Sequence, residues 1–278
     1  CVPRATSRVA DPWDTSARRI RRPFSPMETE LKLMLPSRRA MEALLARVGV
    51  AHKRGVRQTN YFYDTAAGHL LAEKYHLRLR RNEDLDGIPG DADYVVTIKG
   101  PKQHGIGAGA SAMSARPEEE VPVGAAVVDN MRDAHALLDA FGRQPAALVQ
   151  SVRQLASGHA LVPKGRFENI RVSAPHPLPL TGGAHIDVTL EIDATRFEHR
   201  GQSTEEYECE VELPPARADE AGFAAAAETS LRALLRDACG VTPMDDGRPF
   251  TFPPAKGKRS RHAAFIKRVD KQVRKGQL

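Results

Sequence analysis

The sequence predicts an α+β fold dominated by antiparallel β-sheet, with enough strands to close into a small barrel and its helices packed outside. Three observations point there. Eight short strand-like runs occur with few helices between them, which argues against a doubly wound α/β sheet. Most of the runs are separated by turn residues, as at Asp86-Gly87 and Gly182-Gly183. Along most of them, charged residues alternate with apolar ones at the two-residue period of a strand.

In chain order, residues 1–26 are rich in Arg, Ser and Pro, lack apolar periodicity, and read as a disordered basic arm. Met27 opens the first strand, 27–35. Pro36 and Ser37 start a helix over 38–48, where Met41, Leu44, Leu45 and Val48 share a face and Gly49 ends the run. Further strands are expected at 57–64, 74–82, 93–99, 115–123, 164–173, 184–193 and 205–213. The stretch 100–114 is a Gly/Ala/Ser-rich loop. Two more helices fit 129–141 and 217–238, the second Ala-rich and ending before Gly240. From Lys256 the chain reads as loosely ordered and basic, with a short helix at 263–275 as the alternative. The expected organisation is an arm (1–26), one folded domain (27–254) and a basic tail (255–278).

Hydrophobic residues make up 41% and charged residues 27% of the 278, a composition that supports a globular core. No stretch approaches the roughly 20 apolar residues of a membrane span, so no membrane role is expected. Cys1, Cys209 and Cys239 are far apart and form no CxxC pair. That disfavours a disulfide framework or thiolate zinc site, and fits a cytoplasmic protein. The cluster Arg18-Arg19-Ile20-Arg21-Arg22 resembles a twin-arginine signal, but no apolar segment follows it and that reading is rejected. The arm holds six Arg against two acids and the tail nine Lys/Arg against one, while the whole chain is only +6. The centre is therefore net acidic, and the basic charge belongs to the ends. A solvated tail is the simpler reading of residues 255–278; nucleic-acid binding by counterion release is the alternative.

Residues i, i+2 and i+4 of a strand share a face. Glu28, Glu30 and Lys32 therefore point one way, and Leu31 and Leu33 the other. Arg78 and Arg80 alternate with Leu77 and Leu79, and Thr97 and Lys99 with Val96 and Ile98. Arg116, Glu118 and Glu120 share a face, as do Lys164 and Arg166. Glu191 and Asp193 alternate with Leu190 and Ile192, and Glu208, Glu210 and Glu212 with Cys209, Val211 and Leu213. One such strand reads as a solvated sheet face. Here, however, the positions are nearly all ionic and the signs segregate by strand. A polyanion bridged by hard cations satisfies both sets: Arg and Lys take phosphate oxygens, and carboxylates take Mg²⁺ or Mn²⁺. On closure the charged face lines a wet tunnel, and the apolar face packs outward against helices.

The ordered set Glu28-Thr29-Glu30-Leu31-Lys32, Tyr61-Phe62-Tyr63-Asp64-Thr65, Leu77-Arg78-Leu79-Arg80, Val96-Thr97-Ile98-Lys99-Gly100, Arg116-Pro117-Glu118, the Asp193 strand and Glu208-Cys209-Glu210-Val211-Glu212 resembles the CYTH, or triphosphate tunnel metalloenzyme, superfamily over about residues 27–240. The resemblance implies a closed eight-stranded tunnel that takes a triphosphate with Mg²⁺ or Mn²⁺. By motif it implies Glu28, Glu30, Glu118, Asp193, Glu210 and Glu212 as metal ligands. Lys32, Arg78, Arg80, Lys99, Arg116 and Arg166 are implied phosphate contacts, with Glu28, Glu30 and Lys32 central to catalysis. Two points stay open. Any pair among Glu208, Glu210 and Glu212 fits the late-strand motif, and Lys164 or Arg171 competes with Arg166. His76, in phase with Arg78, lines the tunnel mouth or touches substrate. Tyr61 and Tyr63 read as packing.

The expected reaction is metal-dependent hydrolysis of inorganic tripolyphosphate, which asks least of the protein: phosphate cradling and a positioned water, with no covalent nucleophile. A thiamine triphosphatase would need aromatic or acidic groups at the mouth for the thiazolium, and aromatic residues are only 5% of the chain. A class IV adenylyl cyclase would need a dedicated adenine site. A non-catalytic module that binds polyphosphate or nucleotide is the alternative from a different class.

Overall fold

The computed structural model describes residues 27–51, 54–88, 92–102, 112–125, 128, 134–142, 146–180, 183–214, 217, 220, 222–240, 252–275 and 277. The predicted arm 1–26, most of the predicted loop 100–114 and the start of the predicted helix 129–141 lie outside the described residues.

Eight strands form the frame: β1 (Met27–Leu35), β2 (Val56–Thr65), β3 (His76–Asp84), β4 (Asp93–Lys99), β5 (Met113–Val123), β6 (Leu161–Pro179), β7 (His185–His199) and β8 (Gln202–Glu212). They close into a barrel in the order β1-β5-β4-β3-β2-β6-β7-β8, and every neighbouring pair is antiparallel. Among the described residues there are six helices: α1 (Arg38–Val48), α2 (His69–Ala72), α3 (His135–Asp139), α4 (Ala147–Ala156), α5 (Phe223–Cys239) and α6 (Lys258–Arg274). None is long and apolar enough to cross a membrane.

The core lies outside the barrel, because the apolar half of each alternating strand faces outward. Leu31, Leu33, Leu190, Ile192, Cys209 and Val211 pack under α1 and α5, through Leu44 and Leu45 of the first helix and Leu231 and Leu235 of the second. Leu77, Leu79, Val96 and Ile98 form a separate cluster with Leu70 of α2, Leu137 and Leu138 of α3, and Val149 and Val152 of α4. Local signals end α1 as expected: Ser37 Oγ accepts the Ala40 N–H at 3.2 Å, and Gly49 takes a left-handed φ of 75° that a side chain would strain.

Strands β6 and β7 run longer than the pattern predicts. The expected strand 164–173 extends in the structure through Pro175, Pro177 and Pro179, which share one phase of β6. Beyond Arg171, β6 pairs with β7 but no longer with β2. The missing N–H groups therefore fall on an edge with no ladder to break.

The C-terminal segment is not a loose tail: the alternative helix at 263–275 is present and begins earlier, at Lys258. Met34 N–H donates to Pro253 O at 2.9 Å, and Ala255 N–H to Lys32 O at 3.0 Å, so residues 253–255 continue along β1 where β5 has ended. Helix α6 then packs Phe265 and Val269 against Phe62, Phe167 and Phe197. Phe62 is in phase with Asn60, Phe167 with Asn169, and Phe197 with Asp193. All three rings are thus inside the barrel, and α6 stops that end of the tunnel.

Candidate active site

Cross-strand register builds the site. Lys32 of β1 stands opposite Glu210 of β8, Glu191 of β7 opposite the same Glu210, and Asp193 between Arg171 of β6 and Glu208. Asp193, Glu208 and Glu210 are buried, and their carboxylate oxygens lie within 4.8 Å of one another. Such a group of like charges is stable only with cations among it. Arg171 bridges Asp193 at 2.6 Å and Glu210 at 2.7 Å and also contacts Glu191. Lys32 reaches Glu30 at 2.7 Å and Glu210 at 2.8 Å. Lys258, the first residue of α6, places its Nζ 2.8 Å from Asp193 and 2.6 Å from Glu210, against Glu208 as well.

Burial opposes ionisation of Glu210, but Lys258, Lys32 and Arg171 override it and hold the carboxyl well below the usual range. Asp193 is depressed in the same way, Arg171 and Lys258 outweighing burial. In Glu208 burial wins, with Glu210 adding to it against Lys258, and its pKa rises to about 7.

Across the tunnel lies a second, cation-rich wall. Glu28 is opposite Arg116, Lys99 opposite both Glu118 and His76, and Arg78 opposite Thr97. Lys99 Nζ contacts Glu28 at 2.7 Å and Glu118 at 2.6 Å, and Arg78 contacts Thr97 Oγ1 at 2.9 Å. Arg80 donates to Asn60 Oδ1 at 3.3 Å. Burial pushes Glu28 up, yet Lys99, with Lys32 and Arg116, holds it far below the ordinary carboxylate range. Glu118 moves the other way, raised by burial and by Glu28 and Glu120 despite Lys99.

Of the residues predicted from sequence, the structure gathers Glu28, Glu30, Lys32, Arg78, Arg80, Lys99, Arg116, Glu118, Asp193 and Glu210 around this tunnel. Two stand apart. Arg166 is corrected: its side chain is 58% exposed, pairs with Glu168 at 2.5 Å and lies over the ring of Tyr61, on the outer face. Phe167 turns inward, so its neighbour must turn out, and Arg171 is the β6 cation in the tunnel. On β8, Glu212 is exposed at the strand end, while Glu208 joins Glu210 in the buried cluster. Sequence reasoning missed Lys258 and Arg261. The latter contacts Glu208 at 2.6 Å and Glu206 at 3.0 Å. Their signal is a run of cations beside the apolar stripe His262, Phe265 and Val269, which along the chain alone resembles a solvated tail.

No ion is needed to see that the acidic cluster suits one. Three buried carboxylates offer hard oxygen donors, the set preferred by Mg²⁺ or Mn²⁺.

His76 gives a prediction of its own. Burial, and then Arg259, Arg116, Lys99 and Arg78 around it, lower its pKa to about 3. This folded value lies below the ordinary 6.5, so the contribution to stability is complete above pH 6.5 and is lost as pH falls from there toward 3. His76→Gln is expected to lose about 1–2 kcal/mol less than wild type between pH 7.5 and pH 5. Urea unfolding at the two pH values measures this; equal losses would show that the imidazole is not held neutral.

A closed antiparallel barrel with a charged interior, its apolar face turned out to helices, defines a tunnel protein. Residues 26–237 match the CYTH domain, and the chain belongs to the CYTH family. A candidate adenylyl cyclase from Hippeastrum, described as having a dominant triphosphatase activity, superposes with a TM-score of 0.59 at 21% identity, covering 86% of this chain and 96% of its own; this establishes a shared fold. A candidate adenylate cyclase from Bacillus halodurans reaches a TM-score of 0.49 at 16% identity, over 85% of this chain and 97% of its own. Among curated protein sequences, none matches this chain.

Proposed function

We propose that this protein hydrolyses a triphosphate, inorganic tripolyphosphate first, with a divalent cation, Mg²⁺ or Mn²⁺, held by carboxylates of the tunnel. The observation that carries the reading is the pairing inside one barrel of a buried carboxylate cluster, Asp193, Glu208 and Glu210, with a wall of cations, Arg78, Arg80, Lys99 and Arg116. The dominant triphosphatase activity described for the Hippeastrum protein agrees with it.

The cationic wall would take the phosphate oxygens, the Arg forks in bidentate fashion. Glu30, Asp193 and Glu210, with Glu208 and Glu28 beside them, would hold the metal. When bound, a divalent cation supplies neutralisation of charge developing on the transferred phosphoryl group. Lys32 and Lys258, each paired with carboxylates of the cluster, would orient a phosphate oxygen once those carboxylates bind a metal. Glu118, whose pKa burial and Glu28 raise against Lys99, would hold a proton beside the cationic wall. The preference for an inorganic substrate rests on the interior itself. Apart from the Phe cluster that α6 packs against and the imidazole of His76, its described lining is charged or polar, which favours phosphate over a base or thiazole.

The test is phosphate release by the full chain from tripolyphosphate, thiamine triphosphate and ATP, each with Mg²⁺, with Mn²⁺ and with chelator. The expected result is fast, metal-dependent release from tripolyphosphate. Faster release from thiamine triphosphate would change the substrate and keep the site. Tripolyphosphate binding without release from any of the three would leave a binding module and overturn the hydrolase.

A further inference from the structure

The first turn of α6 brings three cations to the closed end of the tunnel, and two of them are accounted for. Lys258 is held by Asp193, Glu208 and Glu210, and Arg261 by Glu206 at 3.0 Å and Glu208 at 2.6 Å, although its Nε has no hydrogen-bond partner among the described residues. Arg259 differs. Its side chain is only 13% exposed, and its Nη1 is buried with no hydrogen-bond partner. Among the described residues, the one carboxylate within ion-pairing distance is Asp64, at 3.7 Å. That carboxylate is already committed. It accepts the N–H of Thr65 at 2.8 Å, of Leu70 at 2.9 Å and of Leu71 at 3.0 Å, binding the start of α2 to the end of β2. The guanidinium lies 5.3 Å above the ring centre of Phe62, whose π-face attracts the charge but cannot accept its N–H groups in the plane of the fork.

The wall that Arg259 faces carries further cations, paired with carboxylates. Phe62 stands opposite Arg78 in the β2–β3 register. His76 shares the inward face with Arg78, and Arg259, Arg116, Lys99 and Arg78 all press upon it. The charges of these four, from α6, β5, β4 and β3, thus act on one imidazole; Arg78, Lys99 and Arg116 have carboxylate partners in Glu120, Glu28 and Glu118, whereas Arg259, among the described residues, faces only the committed Asp64. A buried guanidinium with an unsatisfied donor is costly, and more so beside other cations. The arrangement becomes favourable when a multiply charged anion with several oxygens fills the gap.

We propose that Arg259 is a substrate contact supplied from outside the barrel, binding a terminal phosphoryl group of the triphosphate at the tunnel's closed end. The proposal rests on the triphosphate reading above and deepens it. Helix α6 then completes the site as well as stopping the tunnel, and the substrate enters terminal phosphate first. An unesterified terminal phosphate is favoured, because an ester at that end would meet the stopper formed by Phe62, Phe167, Phe197 and Phe265.

The experiment is equilibrium binding of inorganic tripolyphosphate to the full chain by titration calorimetry, in chelator so that no metal-dependent turnover intervenes. Arg259→Met is expected to weaken binding by about tenfold or more, the range of a charge-assisted hydrogen bond. Arg259→Lys, which keeps the charge and loses the fork, should fall between. Lys271→Met removes an exposed cation from the same helix and should bind like wild type, separating a specific contact from general charge. Hydrogen exchange of α6 shows whether the helix stays docked. If Arg259→Met releases it, Arg259→Lys decides, since it retains the charge over Phe62. Wild-type affinity in Arg259→Met, or in a docked Arg259→Lys whose Met counterpart undocks, overturns the contact and leaves the triphosphate reading standing. A wild-type chain that binds no tripolyphosphate in chelator and releases no phosphate from it with Mg²⁺ or Mn²⁺ overturns the reading itself.

Discussion

Glu210→Gln is expected to lower kcat/KM for metal-dependent triphosphate hydrolysis by at least about a hundredfold, equivalent to about 2.7 kcal/mol of transition-state stabilisation. Glu210 sits where three cations meet: Lys32 at 2.8 Å, Lys258 at 2.6 Å and Arg171 at 2.7 Å. Those contacts, overriding burial, keep it ionised throughout the range in which the protein would work. The amide preserves volume and one acceptor oxygen but removes the charge a divalent cation needs. Mn²⁺ affinity, read by electron paramagnetic resonance without substrate, should fall in parallel, so the loss can be traced to the ion and not to folding alone. Glu212→Gln, at the exposed end of the same strand, is expected to change both quantities by less than about threefold. A Glu210→Gln protein with wild-type turnover at limiting Mn²⁺ would remove Glu210 from the ligand set.

Much of this site was legible because two periods of different origin coincide. The strand period places Glu28, Glu30 and Lys32 on one face, and the ionic character of that face runs through β3, β4, β5, β7 and β8. A solvated sheet has no reason to segregate its charge by strand, so the pattern pointed to an interior. The closed barrel bears this out, with Leu31, Leu77, Val96 and Ile192 turned to the helices. The small helices were less legible. Four-residue α2 depends on Asp64 accepting from Leu70 and Leu71, a cap fixed by a strand end and invisible to periodicity. The chain of α4 shows its buried stripe, Leu148, Val149, Val152 and Ala156, only once the β3–β4 surface it covers is known.

The C-terminal cations were the largest loss, for a reason of the same kind. Counted along the chain, residues 255–278 are a block of like charge, which usually means solvated and extended. In the structure their counter-charges lie on β7 and β8, 48 to 65 residues away in sequence: Asp193, Glu206, Glu208 and Glu210. Charge bookkeeping by segment cannot see a complement assembled across strands. The net acidity of the central region was the visible half of that complement. Lys258, Arg261 and the stripe His262, Phe265, Val269 were the other half.

Arg171→Met is expected to destabilise the fold by about 3–5 kcal/mol and to leave little turnover, whereas Arg166→Met should stay within about 0.5 kcal/mol and twofold of wild type. Both arginines lie on β6, and the sequence alone supports either, because each belongs to a plausible face. The even positions are Lys164, Arg166 and Glu168; the odd ones are Phe167, Asn169 and Arg171. The partners decide. Asn169 donates to Asp193 at 2.9 Å and to Gln58 at 3.1 Å, and accepts from Thr195 at 2.9 Å, a buried network that only the inward face can hold. Arg171, in phase with it, neutralises Asp193, Glu191 and Glu210 together, so its removal leaves three carboxylates crowded in a low-dielectric space. Arg166 has one exposed partner, and exposed pairs contribute at most about 1 kcal/mol. The destabilisation of Arg171→Met should also depend on cations: Mn²⁺ occupying the carboxylates replaces part of the lost charge, so added Mn²⁺ should raise the variant's melting temperature more than the wild type's. Thermal unfolding of both variants with and without Mn²⁺ measures this. Equal small effects at the two positions would mean that the carboxylate cluster does not depend on Arg171 for its charge.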